Sequence, residues 1–180
     1  MGIFPWYSDR NPVLWWSPDP RLVLIPAELT VSKTLKQTIR KDMFRVTTNQ
    51  AFEEVIRSCA TVKRKGEQET WITEEMIEAY IQLHKAGWAH SVESWNGEEL
   101  AGGLYGVMMG RAFFGESMFA KKTDASKVAF AVYAAELARK GFEIIDCQVA
   151  TEHLKRFGAR EIPRAEFMVR LEKALNKTES

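Results

Sequence analysis

Asn96-Gly97 sits between two strand-like runs, and no other pair of residues in the 180-residue chain restricts its fold so strongly. Asn and Gly both tolerate the positive φ of tight hairpin turns, so a run that ends here turns back on itself as an antiparallel partner. The spacing predicts strands over 89–95 and 99–108, with a third over 111–119. The middle of the chain is therefore read as an antiparallel meander.

The flanks are mixed. Pro5, Pro12, Pro18, Pro20 and Pro26 forbid a long helix in the opening segment, where 21–25 is a short strand candidate. Ser32 is placed to cap a short helix bearing Leu35 and Ile39, and Phe44–Thr48 reads as a strand. Asn49 is expected to cap a helix with Phe52, Val55, Ile56 and Cys59 at i, i+3, i+4 and i+7. After a polar loop over 63–69, Thr73 opens a helix that Gly87 follows. A long helix is predicted from about 124 to 140, with Phe130, Tyr133, Ala134 and Leu137 on one face and Gly141 as its stop. A strand over 143–149, a short helix near 151–156 and a final helix opened by Pro163 complete the order. With no repeat and no linker, the expectation is a single mixed α/β domain over 1–180: a mostly antiparallel sheet flanked by helices, closing with a β–α–β unit.

Composition narrows the function only by exclusion. Twenty-five basic against 24 acidic residues give a net charge of +1, which names no partner. The apolar runs are too short to cross a membrane, no signal peptide is read, and two distant cysteines suit a reducing compartment, so a cytoplasmic location is expected. His84, His90 and His153 lack metal-ligand spacing, and neither G-x-x-x-x-G-K-[ST] nor G-x-G-x-x-G occurs; no metal and no cofactor are expected. Charge does concentrate locally. Over 30–66, Lys33, Lys36, Arg40, Lys41, Arg45, Arg57, Lys63, Arg64 and Lys65 stand against Asp42, Glu53 and Glu54. This is either a solvated face or a track for a phosphate backbone.

Two stretches carry polar groups where burial is expensive. Glu116 lies among Phe113, Phe114, Met118 and Phe119; it is either the wet side of an edge strand or a carboxylate held in a pocket, with Gly115 allowing close backbone approach. In Ile-Ile-Asp-Cys-Gln-Val, alternation puts Asp146 and Gln148 on one face and Cys147 with Ile145 and Val149 on the other. That makes Cys147 a small buried hydrophobe and leaves Asp146 and Gln148 needing partners or a cleft.

Together "GIFPWYS", "LWWSPDPR", "AHSVESW", "GGLYGV", "FFGESMF", "IIDCQV" and "GAREIPR" resemble the leucyl/phenylalanyl-tRNA–protein transferases from Gly2 to about Leu171. The resemblance implies an acetyltransferase-like (GNAT-related) fold. It implies transfer of Leu, Phe or, less well, Met from aminoacyl-tRNA to the N-terminal Arg or Lys of an acceptor protein, marking it for N-end rule degradation. It also implies that Asp146 and Gln148 are a catalytic pair, that Glu116 is a pocket carboxylate, and that Trp6 packs on the 3′-terminal adenosine. Leu104, Phe113, Tyr133, Leu137, Ile145 and Thr151 would bind substrate, and Lys33, Lys36, Arg40, Lys41, Lys63, Arg64 and Lys65 would bind tRNA. Thr151 stands where many members have Asn. Members usually carry several dozen residues before "GIFPW", so their small N-terminal domain is expected to be absent or truncated here, and a monomer is expected. Two rival readings stay open: an acyl-CoA-dependent N-acetyltransferase, which would need a glycine-rich loop not found before 125, and a non-catalytic tRNA-binding remnant.

Overall fold

A computed structural model describes residues 2–5, 14–62 and 72–176. The predicted meander is present as β5 (Ala89–Asn96), β6 (Glu99–Met109) and β7 (Ala112–Ala120), each antiparallel to the next. Its first turn differs in detail. Asn96 pairs with Glu99, so the two turn residues are Gly97 and Glu98, and of these only Gly97 has positive φ, at 63°. The chain thus uses the hairpin form with Gly in the first central position.

Seven strands form one sheet in the order β4-β5-β6-β7-β8-β3-β9. Here β3 is Arg21–Leu24, β4 Arg45–Thr48, β8 Ile144–Gln148 and β9 Arg160–Ile162. The parallel pair is β7 with β8; every other neighbouring pair is antiparallel. The parallel pair is joined by α4 (Ala125–Arg139), the crossover helix that a parallel connection requires. β9, which the sequence reading passed over, covers the outer side of β3. A two-residue ladder, β1 (Phe4–Pro5) with β2 (Trp15–Trp16), stands apart from the sheet.

Both sheet faces are covered. Alternation sends Leu22, Leu24, Leu104 and Ile145 toward α4 and its neighbour α1 (Lys33–Arg40). It sends Tyr105 toward α2 (Phe52–Thr61) and α3 (Glu74–Lys85), and Val23 and Ile144 toward α6 (Arg164–Asn176). The α4 face buries Phe130, Tyr133, Ala134 and Leu137, as its spacing predicts. Ser32 and Thr73 cap α1 and α3 through hydrogen bonds from the Leu35 and Met76 amides. Asn49 does not cap α2. Its own φ is +60° and its side chain accepts from the Ser91 amide, while the fully buried Glu93 accepts from the Ala51 amide at the start of α2. Ala51 is the cap residue of α2, and no side chain among the described residues bonds the free amides of its first turn. Among the described residues no helix is long and apolar enough to cross a membrane.

Candidate active site

The parallel ladder of β7 and β8 is short. It pairs Ala112–Phe114 with Ile144–Asp146 and stops, although β7 continues to Ala120 and β8 to Gln148. Just past the last pair, β7 is out of step with β6 as well: Gly106 faces Gly115 whereas Tyr105 faces Ser117, so Glu116 is the extra residue of a bulge. A bulge re-aims a side chain, and this one lies where the strands part.

A cavity of about 370 Å³ occupies that gap. Its α4-side wall is Leu104, Phe113, Met118, Phe130, Ile145, Cys147 and Leu154, with Thr151 at the start of α5 (Glu152–Lys155). On the other side stand Phe4, Tyr105, Glu116 and Gln148. The lining is largely apolar with a few convergent polar groups, the character of a small-ligand site.

At those polar groups, Gln148 Nε2 donates to Glu116 Oε2 at 3.4 Å, and Tyr80 of α3 is hydrogen-bonded to Glu116 as well. Burial pushes the Glu116 carboxyl up to about 7, helped by the charge of Asp146; the bonds from Gln148 and Tyr80 and the charge of Arg21 hold it back. Because the amide nitrogen faces a carboxylate, Gln148 Oε1 is the atom left to accept a proton-bearing nitrogen in the cleft.

Asp146 lines the cavity beside Gln148, as the alternation predicts, but its carboxylate is engaged within the protein. It is fully buried and turned toward α6, where Oδ1 accepts from Arg21 Nε at 2.9 Å and Oδ2 from Arg21 Nη2 at 2.6 Å. Oδ1 also accepts from the Gln148 backbone amide at 3.0 Å. Gln148 has φ of +63°, so regular strand backbone ends at this residue. Cys147 shares a side with Ile145 as expected, yet it lines the cavity instead of lying behind it. Burial and the Asp146 charge push its thiol well above the usual range, so it stays neutral.

Leu104, Phe113, Ile145 and Thr151 do line the cavity. Tyr133 and Leu137 pack one layer behind it, Tyr133 edge-on to Phe113 at 5.1 Å. The gap opens toward the C-terminal ends of β7 and β8, so the start of α4, with Phe130, reaches it and the later turns do not. Thr151 also caps α5 by accepting from the Leu154 amide. Gly115 is not crowded: an added Cβ would meet Asp146 O at 3.6 Å. The tightest of the described glycines is Gly106, where the same atom would lie 2.2 Å from Phe114 O. Tyr80 and Arg21 were missed; the available signals were a tyrosine on an apolar helix face and an arginine opening an apolar strand. Lys33, Lys36 and Arg40 are exposed on α1 and Lys41 at its C-cap, and among the described residues none forms an ion pair. Trp6, Lys63, Arg64 and Lys65 lie outside the described residues. Among those described, no three His, Cys, Asp or Glu converge as metal ligands would.

Residues 23–172 match the family model for leucyl/phenylalanyl-tRNA protein transferase, and residues 1–19 match that for its N-terminal domain. The chain belongs to the leucyl/phenylalanyl-tRNA protein transferase family. It is 62% identical over 176 residues to the leucyl/phenylalanyl-tRNA–protein transferase of Anaeromyxobacter sp. strain Fw109-5, covering 98% of this chain and 75% of that one. It is 58% identical to the relative of the same name in Syntrophobacter fumaroxidans, over 95% of this chain and 73% of that one. A conserved protein of unknown function from Bacteroides thetaiotaomicron shares the fold at a TM-score of 0.50 and 11% identity, covering 89% of this chain and 56% of that one. In the terms of this family, the cavity and its Glu116–Gln148 rim lie where β7 and β8 part, and the basic face of α1 lies on the α4 side of the same sheet.

Proposed function

We propose that the protein transfers Leu, Phe or, less well, Met from aminoacyl-tRNA to the N-terminal Arg or Lys of acceptor proteins, acting as a cytoplasmic monomer in N-end rule degradation. The observation that carries this reading is the largely apolar cavity with the Glu116–Gln148 pair facing into it. The donor's side chain enters the cavity. The acceptor's α-amine donates to Gln148 Oε1, which aligns its lone pair with the ester carbonyl. The C–N bond forms, the ester C–O bond breaks, and the amine proton leaves with the terminal hydroxyl of the tRNA. The ester is already activated, so the residues need only orient and stabilise charge. Ionised Glu116 holds the Gln148 amide and favours the positive charge that develops on the amine nitrogen as the C–N bond forms. Asp146 acts through Gln148. Trp6 and the basic residues of α1 and of 63–65 receive the tRNA.

Incubating the protein with labelled Phe-tRNA and a peptide beginning with Arg tests this reading. A mass gain of one phenylalanyl residue on the peptide is the expected result. Transfer from acetyl-CoA instead, or tRNA binding with no transfer, contradicts it.

A further inference from the structure

Arg21 has no role so far, yet it is among the most thoroughly buried side chains in the protein, at 1% exposure. Its guanidinium lies between two rings: Cζ is 5.0 Å from the centre of Phe4 and 4.8 Å from that of Phe167. Phe4 also lines the cavity, and Phe167 belongs to α6. Arg21 Nη1 has no hydrogen-bond partner among the described residues, so Asp146 is the polar anchor of this cation. Asp146 in turn spends its oxygens on Arg21 Nε, Arg21 Nη2 and the Gln148 amide. Three of the roughly four acceptor sites of this carboxylate are thus engaged inside the protein, which suits it to holding a neighbour in place.

We infer that Arg21 is a positioning residue: held between Phe4 and Phe167, it locks Asp146 so that the carboxylate fixes the left-handed backbone of Gln148 and hence the place of its amide in the cleft. The inference rests on the proposed transfer reaction. A bare φ of +63° is unfavourable for a glutamine, and the Asp146-to-amide bond is what pins it. A free carboxylate would swing away from that bond; the two-point fork of Arg21 removes the freedom.

The test measures single-turnover transfer by wild type, Arg21→Met and Arg21→Lys, with amide hydrogen exchange over 146–150 in each. Misplacing a positioned group by about an ångström costs on the order of 10²-fold. We expect folded Arg21→Met to lose roughly that factor in rate with near-normal affinity for Phe-tRNA, and its 146–150 amides to exchange faster. Arg21→Lys keeps the charge but not the fork, so it recovers part of both. Should Arg21→Met not fold, Arg21→Lys decides on the same readings. Wild-type rate and exchange in a folded variant overturn the inference, as does a loss that lies in affinity alone. Failure of the wild-type protein to transfer at all counts instead against the proposed function.

Discussion

Gln148 Nε2 meets Glu116 Oε2 at 3.4 Å across the gap where two parallel strands part. Glu116 is the bulge residue of one strand and Gln148 the left-handed last residue of the other, so each enters the gap through a local break in regular pairing.

The Glu116 carboxyl titrates near 7, well above its ordinary 4.5, and the cause is burial. Between those two values the native state holds a proton that the unfolded chain has lost. Stability therefore falls as pH rises through that window and levels off above 7. Glu116→Gln removes this dependence. Urea unfolding at pH 5 and pH 8.5 should show wild type losing on the order of 2 kcal/mol relative to the variant over that interval. The same pH dependence in both proteins would place the carboxyl in water.

Gln148→Ala removes the amide and should slow single-turnover transfer by roughly 10²–10⁴-fold, leaving Phe-tRNA affinity near normal. Gln148→Asn is the sharper comparison. Asn accepts the left-handed backbone readily but is one methylene short of Glu116. It should be slow too, and a wild-type rate in it would mean that the span to Glu116 does not matter.

The meander, the crossover helix and the helix caps at Ser32 and Thr73 were legible because period and local chemistry determine them. The site was legible only as a list of residues. Asp146 and Gln148 were correctly marked as polar groups sharing one cleft, since both line the cavity, but their partners were not legible. Arg21 lies 125 residues from Asp146 in the chain, and no local pattern announces such a pair. Asn49 illustrates the same limit: its side-chain oxygen accepts from the Ser91 amide, 42 residues away, and not from a helix amide.

The α1 cations are exposed and unpaired among the described residues, so their charge is available to a polyanion. Each phosphate they neutralise releases about one counterion, giving a salt slope of about −0.7 to −0.9 per contact. Replacing Lys33, Lys36, Arg40 and Lys41 together by Ala should weaken tRNA binding and reduce the slope of log K against log salt by about two to four. An unchanged slope would leave α1 as a solvated face.

Cys147 separates a wall from a reagent. Its thiol faces the cavity, but burial beside Asp146 keeps it protonated and so a poor nucleophile at neutral pH. If it serves only as wall, its chemistry is dispensable and its volume is not. Cys147→Ala should keep turnover close to wild type and react no further with iodoacetamide at this position. Cys147→Leu adds bulk to a cavity of about 370 Å³ that must admit a donor side chain. Overpacking of this kind costs about 1–3 kcal/mol, so kcat/KM for Phe-tRNA should fall by roughly 10- to 100-fold. The loss should be smaller for Leu-tRNA, whose side chain is smaller than Phe. Steady-state transfer with both donors, on variants shown to be folded by thermal melts, measures this directly. An inactive Cys147→Ala would assign the cleft to the thiol, and equal losses for both donors in Cys147→Leu would show that the donor side chain does not lie against this wall.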